Sequence, residues 1–188
     1  MYNTSDIRKG LKIELNDEPY IIIDFLHVKP GKGAAFVRTK IKNLITGQVL
    51  DKTFKVGEKI KKPDLEEKEM QFLYSDDENF YFMDNETYDQ IPISKEKLEY
   101  EKNFLKENIN VTVLFFKGEP VSVELPNFVE LEVTHTEPWI KGDTVSSATK
   151  PATVETGYTL NVPLFINNGD IIKVDTRTGE YVERVKSK

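Results

Sequence analysis

LKIELNDEPYIIIDFLHVKPGKGAAFVRTKI, residues 11–41, is the stretch that decides the fold. Leu11-Lys12-Ile13-Glu14-Leu15 alternates apolar and polar, the period-two pattern of a half-buried strand, and Asn16-Asp17 supplies turn chemistry. Tyr20 to Leu26 follows almost without polar interruption, which predicts a second strand buried on both faces. After a glycine loop, Ala34 to Ile41 reads as a third strand. Thr46-Gly47 breaks the chain, and Val49 to Val56 reads as a fourth. Several short strands in one small block, with little helix, predict an SH3-like (KOW-type) barrel.

The loop inside that stretch, His27-Val28-Lys29-Pro30-Gly31-Lys32-Gly33-Ala34-Ala35-Phe36, carries the chemistry. Pro30 fixes φ and has no N–H, so the incoming strand must stop there. Gly31 and Gly33 are expected to take positive φ and close the turn. Lys32 lies between them with no bulky neighbour, so its ammonium should project from the tip. Gly33 leads into a strand and not a helix, so this is no Walker A phosphate loop. On shape alone the tip is either a functional lysine or a hairpin end with a solubilising charge.

Working outward, Lys59-Ile60-Lys61-Lys62-Pro63-Asp64 is charged, ends in proline and marks a first boundary. Gln71 to Tyr74, Phe80 to Met83, Val111 to Phe116 and Val121 to Glu124 then read as strands. Ser94 to Leu105 reads as a helix capped by Ser94. Strands interrupted by one helix predict an OB-fold. Leu125-Pro126-Asn127 marks the second boundary. Beyond it, Phe128 to His135 alternates as a strand, a polar loop runs from Lys141 to Lys150, and Asp170–Asp175 and Glu180–Val185 flank a Thr178-Gly179 turn. The expectation is an all-β chain of three modules, 1–63, 64–127 and 128–188, the last two OB-like, in an elongated arrangement.

Composition narrows the function. Residues 1–62 carry 13 Lys/Arg against 7 Asp/Glu, a net +6, while residues 63–188 carry 13 against 25, a net −12. A basic N-terminal module on an acidic body suggests that one end meets phosphate. The 188 residues include no cysteine, which excludes disulfides and thiolate chemistry and fits a cytoplasmic protein. No apolar stretch is long enough for a transmembrane helix, and MYNTSDIRKG has no secretory h-region. Asp76-Asp77-Glu78 and Glu66-Glu67 lack the spacing of a calcium loop and read as solvated turns; no metal or cofactor is expected. His27 could contact RNA or pack locally, and Trp139 reads as a core aromatic. No nucleophile–base pair is apparent, which argues against an enzyme. A free single-strand nucleic-acid binder is a further reading of OB modules, but the −12 balance counts against it.

Lys29-Pro30-Gly31-Lys32-Gly33 followed by Ala35-Phe36-Val37-Arg38 resembles the tip loop of the bacterial elongation factor P family, and the hypusine loop of its eukaryotic and archaeal homologue. Gln71 to Tyr74 with Phe82 to Tyr88 resembles that family's middle domain. Lys150 to Gly157, Val162 to Asn167 and Gly169 to Tyr181 resemble its C-terminal signature. The resemblance implies an SH3-like barrel followed by two OB barrels in an L shape. It implies a monomeric, non-catalytic factor that binds the 70S ribosome beside P-site tRNA and relieves stalling at consecutive prolines. It implies that Lys32 is modified by a lysine-specific enzyme system, within a tip formed by Lys29, Pro30, Gly31 and Gly33. Arg8, Lys9, Lys29, Arg38, Lys40 and Lys42 are the candidates for tRNA or rRNA phosphate. Tyr181 and Arg184 match the family's Tyr-x-x-Arg element for RNA contact; the alternative reading of Tyr181 is an inward-packed aromatic of an edge strand. Gly142-Asp143-Thr144 resembles its loop at the E-site codon of mRNA.

Overall fold

The structure is a computed structural model and describes residues 1–139 and 149–188. The expected all-β class holds. Strands β1 (Lys12–Leu15), β2 (Glu18–Val28), β3 (Phe36–Asn43) and β4 (Val49–Lys55) form an antiparallel sheet in sequential order. Asn16 and Asp17 both take positive φ, 52° and 63°, the two-residue type I′ geometry that matches strand twist. Ile13, Ile22, Val37 and Ile41 are fully buried at the centre of this module.

The apolar run from Tyr20 to Leu26 is not buried on both faces, as its composition predicts. A β-bulge at Ile23 separates the pairs Ile22↔Ile41 and Asp24↔Lys40. Unbroken alternation would send Asp24 into the core behind Ile22. The extra residue turns Asp24 outward, packs Phe25 against the core and leaves Leu26 exposed.

β5 (Leu65–Ser75), β6 (Asn79–Asp84), β7 (Gln90–Ser94), β8 (Asn110–Phe116) and β9 (Glu119–Glu124) form a second sheet in the order β7-β6-β5-β8-β9. β10 (Phe128–Thr136), β11 (Thr149–Val154), β12 (Thr159–Pro163), β13 (Ile171–Asp175) and β14 (Glu180–Lys186) form a third, ordered β12-β11-β10-β13-β14. Gly179, at φ 77°, closes the expected β13–β14 hairpin. The chain gathers into two compact units, Met1–Glu67 with Leu114–Ser122, and Lys68–Val113 with Val123–Lys188. Within the first, Leu114, Phe116 and Val121 pack with Leu44 and Leu65.

The helix expected over Ser94–Leu105 is two 3-10 turns, Lys95–Leu98 and Glu101–Phe104. Ser94 does cap the first, accepting from the Glu96 N–H at 3.4 Å. At 100° per residue, one straight α-helix would set Phe104 about 120° round from Leu98. Both side chains are buried, Phe104 completely, and the break at Glu99-Tyr100 lets each enter a core. In the second unit Phe104 sits among Leu131, Ile166 and Ile172, while the Tyr100 hydroxyl donates to the Thr176 carbonyl. Trp139 is 48% exposed and not a core aromatic. It lies beyond Thr136↔Ala152, the last pair of the β10–β11 ladder, so no sheet face carries it inward.

Of the two acidic clusters expected to be turns, Glu66-Glu67 lies instead within strand β5, paired into the sheet, whereas the Asp76 turn is built as a cap. Asp76 accepts from the Tyr81 hydroxyl at 2.7 Å and from the N–H groups of Asn79 and Glu78 at 2.7 and 2.9 Å, and these bonds hold its carboxyl below the usual carboxylate range. Asp84 accepts from the Glu86 and Thr87 N–H groups at 2.8 and 3.3 Å, with the same effect. A carboxyl whose folded pKa is depressed contributes stability above its unfolded value, and that contribution is lost as pH falls through the folded value. Asp84→Asn should therefore melt below the wild type near neutral pH, and the gap should close below about pH 4. A gap that stays constant on acidification would show that the Asp84 charge contributes nothing.

Candidate functional site

The tip loop spans residues 29–35, between the last β2–β3 pair, Val28↔Phe36, and its return. Its returning arm is pinned where the Val56 N–H donates to the Ala35 carbonyl at 3.1 Å. Only Gly33 takes positive φ, 94°; Gly31 does not, so one left-handed residue suffices to reverse the chain. A Cβ at Gly31 would meet nothing within 4 Å, so neither its φ nor crowding within the chain requires glycine there. Pro30 is half-buried, whereas Lys29 and Lys32 are exposed. Among the described residues the Lys32 side chain makes no hydrogen bond or ion pair. Its ammonium is free at the apex of a pinned loop.

The basic candidates divide. On β3, Val37, Thr39, Ile41 and Asn43 point into the module, so Arg38, Lys40 and Lys42 form a row on the exposed face. Lys40 has Asp24 and Asp51 as its cross-strand partners, which weakens its pull on phosphate. Arg38 lies over the Phe36 ring at 5.8 Å, toward the tip end of the row. Arg8 and Lys9 stand in the turn before β1, with Lys9 3.9 Å from Asp24. His27 meets Phe25 edge-on at 5.6 Å, the local packing its position allows.

Tyr181 and Arg184 lie on β14. Residues three apart on a regular strand face opposite ways. A bulge at Val182 brings both to one side, where Tyr181 pairs with Val174 and Arg184 with Ile172. Tyr181 packs against the module core, and burial raises its phenol pKa. Arg184 lies 3.6 Å from the buried Asp170 carboxylate and 4.9 Å from the centroid of the exposed Phe165 ring. Asp170 also accepts from the Asn167 and Lys188 N–H groups at 2.9 and 3.1 Å. Sequence reasoning missed Asp170 and Phe165, because a buried acid beside a distant arginine has no local signature. Gly142, Asp143 and Thr144 lie outside the described residues.

These features define an all-β protein that presents two exposed lysines, Lys29 and Lys32, on a pinned loop joining β2 to the strand that carries a basic row. Three family models match in succession: the elongation factor P KOW-like domain over residues 3–60, the elongation factor P OB domain over 65–123, and the elongation factor P C-terminal domain over 129–184. The chain belongs to the elongation factor P family, whose role is in translation elongation. It is 58% identical to elongation factor P of Caldanaerobacter subterraneus subsp. tengcongensis over 98% of this chain and all of that one. It is 57% identical to that of Natranaerobius thermophilus over 99% of each chain. Among solved structures, eukaryotic translation initiation factor 5A from Methanococcus jannaschii matches with a TM-score of 0.52 at 20% identity, over 66% of this chain and 91% of that one. That likeness concerns the fold. Among the described residues no helix is long and apolar enough to cross a membrane.

Proposed function

We propose that this chain binds the ribosome beside P-site peptidyl-tRNA and stimulates peptide bond formation at consecutive prolines, with Lys32, carrying a post-translational modification, directed at the reaction centre. The observation that carries this reading is the free Lys32 ammonium at the apex of the pinned loop. Proline's ring restricts the attacking nitrogen and the φ of the nascent chain, so the reacting atoms meet poorly. A factor that holds the acceptor end of the tRNA lowers the entropy cost of reaching attack geometry. A gain of about 10²-fold needs only about 2.7 kcal/mol of transition-state stabilisation. The ribosome performs the acyl transfer, and this chain positions its substrate without catalysing it.

The module boundaries near residues 63 and 127 belong to the same reading, supported by the ranges of the three family models. The N-terminal module meets tRNA through Arg8, Lys9, Lys29, Arg38 and Lys42, with Lys40 a weaker contributor. Arg184, oriented by Asp170, and Tyr181 address RNA from the C-terminal module, and Gly142-Asp143-Thr144 approaches the E-site codon. The protein acts in the cytoplasm as a monomer and is served by a lysine-modifying enzyme. Pelleting with ribosomes that carry P-site tRNA, beside filter binding to free RNA, tests the reading. Co-sedimentation with weak free-RNA binding is expected. Equal affinity for free single strands would favour a general RNA binder instead.

A further inference from the structure

Two β-bridges, Tyr2↔Ile60 and Glu14↔Lys61, tie the basic run 59–62 against the start of the chain. The bridges sort the cations of that run. Lys59 donates to the Asn3 side-chain carbonyl at 2.5 Å, and Ile60 enters the core. Lys61 pairs with the largely buried Glu14 carboxylate, a hydrogen bond and attraction that raise the lysine's pKa. Lys62 alone turns to a cleft of about 340 Å³, where it is joined by Arg8 and Lys12. Glu67 is the one carboxylate among the described residues that line it. The Arg8 and Lys62 side chains make no hydrogen bond or ion pair among the described residues. Pro63 and Leu65 supply an apolar wall, and a low-dielectric wall strengthens the attraction of a cationic cleft for an anion.

We propose that this cleft binds an RNA phosphodiester, with Arg8 and Lys62 as its paired contacts. The proposal deepens the ribosome-bound reading above and rests on it. The row on β3 has Asp24 and Asp51 beside Lys40, whereas here two unpaired cations converge on one recess. A guanidinium can grip two phosphate oxygens while an ammonium acts as a point charge, so the pair suits a single phosphate held from two sides.

The test compares ribosome binding across a salt series for wild type, Arg8→Gln/Lys62→Gln and Lys59→Gln/Lys61→Gln. Both double variants remove two charges from the same end of the module, but only the first removes the cleft pair. Each phosphate contact contributes about 0.7–0.9 to the slope of log affinity against log salt. The Arg8/Lys62 variant should flatten the slope by about 0.8, the contribution of one phosphate, and the Lys59/Lys61 variant should leave it nearly unchanged. Equal flattening by both, or none by the first, overturns the proposal. A wild type that fails to pellet with ribosomes refutes instead the reading under Proposed function. The cleft is then decided by NMR titration with inorganic pyrophosphate. Shifts of the Gly10 and Leu11 amides that vanish in Arg8→Gln/Lys62→Gln support it, and unmoved amides overturn it.

Discussion

Replacing Lys32 by alanine or by arginine should abolish rescue of a reporter containing a Pro-Pro-Pro stretch, while translation of a proline-poor reporter continues. The wild type should restore the first and leave the second unchanged. The expectation starts from the tip: Gly33 reverses the chain, Ala35 is held by Val56, and the lysine between the glycines makes no hydrogen bond or ion pair among the described residues. A side chain without internal partners contributes little to stability, so both variants should unfold within about 0.5 kcal/mol of wild type. Arginine separates charge from shape. It keeps the positive charge but presents a planar fork in place of a compact ammonium, and a lysine-specific modifying enzyme would not accept it. If phosphate attraction were sufficient, Lys32→Arg would retain activity. Equal rescue by wild type and Lys32→Ala would reduce the tip to an ordinary hairpin end.

The second large effect is on stability. Phe104→Ala should lower unfolding stability by about 3–5 kcal/mol, because it empties a fully buried aromatic site. Phe104 packs 5.3 Å from the Tyr100 ring and 5.2 Å from the Tyr158 ring, within a core that includes Val129, Leu131 and Val174. Tyr100 and Tyr158 are themselves fastened to the β13–β14 turn, through the carbonyls of Thr176 and Gly179. Collapse around the vacancy would therefore strain those bonds, which places the loss toward the upper end of the range. Phe128→Ala, at a ring 45% exposed, is the comparison and should cost far less. Urea unfolding followed by far-UV circular dichroism reads both. A Phe104→Ala midpoint close to that of Phe128→Ala would show that the second 3-10 turn is not anchored through its aromatic ring.

Much of this molecule is legible residue by residue. Alternation in Leu11–Leu15, the Asn16-Asp17 turn, the stop at Pro30 and the Gly179 reversal are local matters of side-chain period and allowed φ, and each appears where the chain chemistry places it. The exposure of Lys32 follows from the same local chemistry. What local chemistry does not decide is phase. Ile21-Ile22-Ile23 offers three equivalent residues, and only pairing with β3 selects Ile23 as the bulge that turns Asp24 outward. Tyr181 and Arg184 stand three apart, and only the bulge at Val182, set by pairing with β13, brings them to one face beside Asp170. Lys59, Lys61 and Lys62 are alike in sequence, and their separate fates depend on bridges to residues about 50 positions earlier. Ser94–Leu105 has helix-forming composition, yet burying Leu98 and Phe104 outweighs a helix propensity of a few tenths of a kcal/mol per residue. Turns are settled by a few neighbouring dihedrals, whereas strand register and burial are settled by which distant surfaces meet, and that meeting exists only in the folded chain.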